Sequence, residues 1–311
     1  MRVTNKTMLN NYLNNLNRNL TQMSKYQNQL SSGKEISKPS DDPFAVTRSM
    51  SLHTSINQNE QYLRNIEDSI GWVDMTDSAL GSMGDVMNRL RELVIKAANG
   101  SLADSDRNAI KDEVEQLIGQ VEQIANTNYD GRYIFGGQDT TEPPFEIIDG
   151  TNVLNYKPDD DDADYNSSKK MLKREISQNV TMEINVPGDW ITEGKNNDLT
   201  EDLPTILNNI MTALEEGDTE KLGGELLGQL DDHIENILSI RSEAGAKYNR
   251  LEAAKFKNEG ETLNMTDLLS KTEDIDIAEK SMQYMMMENV YIASLNTGAR
   301  IMQPSLLDFL R

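Results

Sequence analysis

Apolar side chains that recur every three or four residues near both ends of the chain limit its fold more than any other feature. The first series runs through Leu9, Leu13, Leu16, Leu20, Met23, Gln27 and Leu30. Near the other end, seven-residue steps join Met285, Ile292, Ala299 and Leu306. Because steps of three and four place side chains along one side of an α-helix, the sequence predicts a long amphipathic helix at each end.

Three further series with similar spacing lie between these two, over residues 52–94, 110–124 and 230–251. The pairs Asn99-Gly100 and Asp130-Gly131, which favour turns, follow the first two of them. One such series is typical of an ordinary amphipathic helix. Five in one chain favour an elongated helical bundle.

The middle of the chain has a different pattern. Short runs rich in β-branched and aromatic residues, bounded by glycine or proline, predict strands near residues 132–137, 145–148 and 180–186. We therefore predict a mainly α-helical fold with a small β-rich insertion that faces outward. The predicted regions are terminal coiled-coil segments at 1–40 and 270–311, a helical body at 41–130 and 200–269, and the insertion at 131–199.

Charge is spread unevenly along the chain. The 30 basic and 52 acidic residues give a net charge of −22. Residues 1–40 contain six basic side chains and one acidic one, residues 279–311 are neutral, and the stretch 41–278 therefore carries −27. Nucleic-acid binding requires a basic face, so this balance argues against a nucleic-acid-binding protein.

The sequence predicts no catalytic, cofactor or metal site. The chain has no cysteine, only two histidines (His53 and His233), and none of the glycine-rich motifs that hold phosphates. An EF-hand aligned on the acidic run at Asp160 would need glycine at 165 and glutamate at 171, where the chain has Tyr165 and Met171. No secretory signal and no apolar stretch of membrane-spanning length is visible either.

Neither terminal helix is expected to be stable by itself. An isolated helix of this length is marginal in water, and the asparagines of the first series weaken it further. At the other end, Met282, Met285, Met286 and Met287 surround the predicted helix, which indicates more than one packing neighbour. We therefore expect both ends to be loose in the free monomer and to become ordered on assembly.

Five motifs resemble those of bacterial flagellin-like axial proteins, in the same order along the chain. They are Leu30-Ser-Ser-Gly-Lys-Glu-Ile36 with Lys38-Pro-Ser-Asp-Asp-Pro43, Asn128-Tyr-Asp-Gly-Arg-Tyr-Ile-Phe-Gly-Gly137, Ile240-Arg-Ser-Glu-Ala-Gly-Ala246, Glu273-Asp-Ile-Asp-Ile-Ala-Glu279 and Ser305-Leu-Leu-Asp-Phe-Leu310. Pro39 and the Asp-Asp-Pro sequence are more similar to the hook-associated FlgL type than to flagellin. Arg311, which follows Leu310, departs from the pattern.

This resemblance implies a structural protein of the extracellular flagellum, at the junction between hook and filament. It implies terminal helices that pair and form an inner tube, and export in an unfolded state through the flagellar type III channel without a cleaved signal. The implied partners are further copies of the chain, the other hook-associated junction protein on the hook side, flagellin on the filament side, and a cytoplasmic export chaperone. Flagellin itself is the alternative, followed by an unrelated coiled-coil scaffold or an enzyme.

The terminal helices then supply the assembly interface. The residues predicted for it are Leu9, Leu13, Leu16, Leu20, Met23, Leu30, Met282, Met285, Ile292, Ala299, Met302, Leu306 and Leu307.

Overall fold

Long helices account for most of the structure. The computed structural model describes residues 5–36, 38–100, 103–148, 153–156, 171–195 and 198–301. Within these residues the α-helices are α1 (Asn5–Ser32), α2 (Pro43–Ala97), α3 (Asp104–Ala125), α4 (Gly188–Thr192), α5 (Leu203–Glu216), α6 (Thr219–Lys221), α7 (Leu227–Glu273) and α8 (Ile277–Ile301). A π-helical turn, Leu222–Leu226, leads into α7.

The start of α2 is fixed by its own sequence. The Asp42 carboxylate accepts hydrogen bonds from the backbone N–H groups of Phe44 and Ala45, both at 3.0 Å. Pro43 is the first helical residue, where its missing N–H costs nothing. A side-chain cap followed by proline is a strong helix-start signal, and α2 then continues for 55 residues.

Six short strands form three antiparallel hairpins between α3 and α4. The strands are β1 (Asn128–Tyr129), β2 (Arg132–Tyr133), β3 (Phe145–Ile148), β4 (Val153–Tyr156), β5 (Lys173–Ser177) and β6 (Val180–Glu183). Asp130 and Gly131, with φ values of 50° and 77°, form the turn between β1 and β2. Positive φ at both central residues is typical of Asp-Gly hairpin turns.

The chain divides into two compact units, residues 1–58 with 261–311 (unit 1) and residues 59–260 (unit 2). Unit 2 holds most of the buried apolar side chains. On α2, Leu80, Met83 and Leu90 are completely buried, and α3 and α5 pack against each other through buried residues such as Val114 and Ile210.

Within unit 2, α2 and α7 are joined by ion pairs that fix an antiparallel register. Arg241 Nε and Nη2 donate to the two carboxylate oxygens of Asp77, at 3.1 and 3.3 Å. Lys255 donates to Glu67 at 2.8 Å, further towards the end of α7 and nearer the start of α2. These side chains lie near the surface, so each pair contributes little stability, but together they restrict how the helices can slide.

This architecture confirms the prediction of a mainly α-helical fold with a β-rich region in its middle. Strand β3 coincides with the predicted run at 145–148, and the other two predicted runs contain β2 and β6. The predicted division into terminal segments, helical body and outward-facing insertion stays a prediction.

Candidate functional site: the terminal helix pair

Helices α1 and α8, here called the terminal helix pair, pack against each other in unit 1. Tyr12 donates its hydroxyl proton to the carbonyl of Ser294 at 3.0 Å. Near the other end of α1, the Lys280 ammonium lies 5.7 Å from the centre of the Tyr26 ring. Because residues early in α1 meet residues late in α8, the two helices run antiparallel.

The side of each helix that faces the other carries more polar residues than the sequence repeats suggested. On α8, the half-buried or buried positions recur in steps of four and three. They are Lys280, Tyr284, Met287, Tyr291, Ser294 and Gly298, while half-buried Ser281 and Gln283 lie outside this series. On α1, half-buried Tyr12, Asn19 and Tyr26 alternate with half-buried leucine and methionine. The resemblance implied that the terminal helices pair, but the polar residues of this contact, here called the inner seam, were not predicted, although Tyr12, Asn19 and Tyr26 lie seven residues apart.

Gly298 is the point of closest approach in the inner seam. The residue is buried, and a Cβ added there would overlap the Tyr12 hydroxyl and lie 2.8 Å from Cε1 of the same ring. A glycine therefore lets the tyrosine ring lie directly against the backbone of α8. In most helix interiors glycine is unfavourable, so this packing is a specific reason for its presence.

Beyond the end of α1, residues 33–36 contact residues 273–275 in the turn between α7 and α8. Together with Ser49 and His53 of α2, these residues form what is here called the joint. Gly33, with a φ of 70°, ends α1 in the left-handed conformation that glycine adopts easily. The backbone N–H of Glu35 then donates to the Glu273 carbonyl at 2.6 Å, and that of Ile275 donates to the Gly33 carbonyl at 3.1 Å.

The Glu273 carboxylate is the centre of the joint. It accepts hydrogen bonds from Ser49 Oγ at 2.9 Å and contacts His53 Nε2 at 3.1 Å and Lys34 Nζ at 3.2 Å. Partial burial by itself would raise the pKa of Glu273, but the hydrogen bonds from Ser49, Lys34 and His53 outweigh it and lower that pKa below the ordinary value. The hydrogen bond to Asp274 raises the pKa of Lys34.

The predicted interface residues of α8 lie on the side away from the inner seam. Met282 and Met285 each expose 62% of their surface and Ile292 exposes 50%, and Ala299 is also exposed. With Met286 they form an apolar strip, interrupted by Asn289, that is here called the outer stripe. The predicted residues Met302, Leu306 and Leu307 lie outside the described residues.

The predicted interface residues of α1 divide between two environments. Leu9, Leu16, Met23 and Leu30 are half-buried within the inner seam. Leu13 and Leu20 are exposed, at 45% and 37%. A strict three-four repeat therefore covers both the surface that meets α8 and a second surface without a covering element among the described residues.

The described residues offer no arrangement typical of catalysis. No group of three or more histidines and carboxylates could hold a metal ion there. A cleft of about 510 Å³ in unit 2 combines Arg132 and Arg174 with two aspartates and is lined by no serine, threonine or histidine. Among the same residues, no helix is long and apolar enough to cross a membrane.

Comparison with known proteins shows what this chain is similar to. Residues 3–140 match the model of the bacterial flagellin N-terminal helical region. Over 94% of its length the chain is 26% identical to flagellar hook-associated protein 3 of Escherichia coli K12, and the match covers 95% of that protein. The chain is similar to flagellin-like proteins along nearly its whole length.

Two other proteins widen the comparison. The flagellin of Bacillus subtilis 168 is 26% identical over 91% of this chain and 90% of its own. The fold is similar to that of the flagellar junction protein FlgL from Legionella pneumophila, with a TM-score of 0.57 and 17% identity over 74% of this chain and all of that one. This flagellin-like chain is therefore a structural component of the extracellular bacterial flagellum.

Proposed function

We propose that the chain forms the junction between the flagellar hook and the filament, and that it assembles through the terminal helix pair. The hook-associated relative matches nearly the whole chain, and the Asp41-Asp42-Pro43 sequence after α1 is of the hook-associated type. The role is mechanical, since the junction needs a stable surface on each side and no chemical step.

The outer stripe is the observation that carries this proposal. Soluble monomers rarely expose a long row of large apolar side chains, yet Met282, Met285, Met286 and Ile292 are each at least half exposed on one helix. Burying such a side chain completely contributes about 1.5–3 kcal/mol. Covering the stripe with neighbouring subunits would therefore strongly favour assembly over the free monomer.

The partners follow from this position. Further copies of the chain lie beside it, the other hook-associated junction protein lies on the hook side, and flagellin lies on the filament side. Before assembly, the exposed apolar residues of α8 need protection, which an export chaperone in the cytoplasm provides. The chain leaves the cell unfolded through the flagellar export channel, without a cleaved signal, and its lack of cysteine avoids cross-linking on the way.

Deleting the gene in the source bacterium tests the position in the flagellum. If the chain is the junction protein, hooks form, filaments do not attach, and flagellin accumulates in the medium. Complementation with the intact gene restores filaments. If the chain is the filament subunit instead, the medium contains no separate flagellin and the proposal is wrong.

A pair of matched variants tests the outer stripe. Met285→Asp places a charge in the stripe, and Leu238→Asp places the same charge on a similarly exposed apolar side chain of unit 2, outside the terminal helix pair. We expect Met285→Asp to leave the fold intact, as judged by circular dichroism, and to prevent incorporation into flagella. Leu238→Asp should incorporate. If the two variants incorporate equally, the outer stripe is not an assembly surface.

Flagellin remains the second candidate because the Bacillus subtilis protein matches with the same identity as the hook-associated relative. A filament protein would be present in thousands of copies along the filament, whereas a junction protein is confined to one zone. Immunogold labelling of intact flagella with an antibody against this chain therefore separates the two, by labelling either the whole filament or only its base.

A further inference from the structure

The first turn of α2 presents Phe44 almost completely to solvent. Its exposed fraction is 90%, the highest among the large apolar side chains of the described residues. Aromatic side chains that enter a pocket on a partner contribute much of the energy of many protein interfaces. Phe44 is thus a strong candidate for an anchor.

Phe44 is also held in place before any partner arrives. The Asp42 carboxylate caps the Phe44 and Ala45 amides. The preceding turn is fixed by the backbone N–H of Lys38, which donates to Asp41 Oδ2 at 3.2 Å. An anchor on a rigid helix start loses little conformational entropy on binding, which raises its affinity.

Arg48 lies one helical turn after Phe44, on the same face of α2. Its side chain is exposed and has no ion pair or hydrogen bond with any residue that the structure describes. The start of α2 therefore offers an aromatic ring and a free positive charge on neighbouring positions, whose Cβ atoms are about 6 Å apart in a helix.

The outer stripe offers a surface with matching chemistry and spacing. Met285 is 62% exposed, and Glu288, one turn later on the flank of the stripe, is exposed and has no hydrogen bond or ion pair within the described part of the chain. Methionine is flexible and makes favourable sulfur contacts with aromatic rings. Met285 and Glu288 thus complement Phe44 and Arg48, apolar against apolar and negative against positive.

We propose that Phe44 and Arg48 of one copy dock onto Met285 and Glu288 of a second copy, so that the start of α2 covers part of its neighbour's outer stripe. This inference rests on the proposed function and adds a specific contact to it. Since the two surfaces differ, the contact is head-to-tail and can be repeated from copy to copy around a ring or along a helical layer.

Photo-cross-linking in assembled flagella tests the contact. The photoreactive amino acid p-benzoylphenylalanine replaces Phe44 in the full chain, flagella are isolated and irradiated, and the cross-linked peptides are identified by mass spectrometry. We expect a product of twice the chain mass in which position 44 is joined to the peptide that contains Met285 and Glu288. The same probe at Leu238, which is 56% exposed in unit 2, should not reach that peptide.

Charge reversal gives an independent test with its own control. Both side chains are exposed, so neither single substitution should affect folding, which circular dichroism verifies. We expect Arg48→Glu and Glu288→Arg each to lower incorporation at least about threefold. The double variant restores the opposite charges and should recover most of the loss, as a directly coupled pair does. If the double variant incorporates no better than the single variant with the lower incorporation, the proposed contact is wrong.

The outcomes separate this contact from the proposed function. If the chain labels the junction but position 44 cross-links to another peptide or another protein, the contact is wrong and the function stands. If the chain is missing from the junction, both are wrong.

Discussion

Replacing Gly298 with alanine tests whether α1 and α8 pair in the free chain as they do in the structure, or are loose there as the sequence predicts. An added methyl group would overlap the Tyr12 ring and displace the hydroxyl from its hydrogen bond to the Ser294 carbonyl. Overpacking of this kind costs about 1–3 kcal/mol. Alanine is favoured over glycine in a helix by about 1 kcal/mol, which offsets part of that cost.

Gly260→Ala is the matched control because Gly260 is exposed on a helix and no atom lies within 4 Å of an added Cβ. There only the helix preference acts, so the variant should be more stable by up to about 1 kcal/mol. The two alanine variants should therefore differ by about 1–3 kcal/mol in the stability of their own helix. A difference of that size changes an opening equilibrium roughly 5- to 150-fold.

Hydrogen exchange followed by mass spectrometry measures that opening separately for peptides from α1, α7 and α8. We expect Gly298→Ala to speed exchange in α1 and α8, and Gly260→Ala to slow it in α7. In a Tyr12→Ala background the clash is gone, so Gly298→Ala should then slow exchange in α8. If Gly298→Ala slows exchange in the presence of Tyr12, or if α1 and α8 are unprotected in every variant, the terminal pair does not exist in the monomer.

Three further predictions concern the core, a buried histidine and the joint. Replacing the completely buried Leu80 with alanine should lower the free energy of unfolding by about 2–5 kcal/mol. The same replacement at the exposed Leu238 should lower it by no more than about 0.5 kcal/mol, and urea titration compares the two variants. Burial lowers the pKa of His233 below its ordinary 6.5, so the unfolded chain binds this proton more readily and stability should fall as the pH drops through 6.5 towards the folded pKa. His233→Gln should flatten that region of a pH–stability curve, and an unchanged curve would contradict the assignment. Because the pKa of Glu273 is lowered, its contribution to stability is complete above pH 4.5 and is lost as the pH falls through the folded pKa. In Glu273→Gln, hydrogen exchange at the joint should no longer show this loss of stability in acid. If exchange at the joint of the wild-type chain does not respond to acid, the prediction is wrong.

The long helices could be predicted from the sequence because their spacing is a direct consequence of helical geometry. On α3, the repeat through Ile110, Val114 and Val121 coincides with residues that are buried in the structure. The turn at Asp130-Gly131 could be predicted for a similar reason, since this pair favours positive φ at both positions, but strand β1 before it was not predicted.

The inner seam could not be predicted, because the repeat was followed through hydrophobic residues only. Tyr12 combines a ring that packs against Gly298 with a hydroxyl that bonds to a backbone carbonyl, and a scale of hydrophobicity ranks it below leucine. Leu13, its neighbour in sequence, fits the repeat better but is exposed. Contact between the two ends of the chain decides whether Tyr12 or Leu13 faces α8. Local residue spacing contains no information about so distant a contact.

The hydrogen bond between Tyr12 and Ser294 joins residues 282 positions apart. Closing so long a loop costs on the order of 5 kcal/mol of chain entropy by the usual logarithmic dependence on length. Contacts of such high sequence separation slow folding, because the entropy of loop closure is lost before they stabilise the chain. The pairing of Glu67 with Lys255 within unit 2 brings distant parts of the chain together and shortens the loop that remains. We therefore expect the two ends of the chain to pair after unit 2 has folded, and until then each end is available to bind another protein.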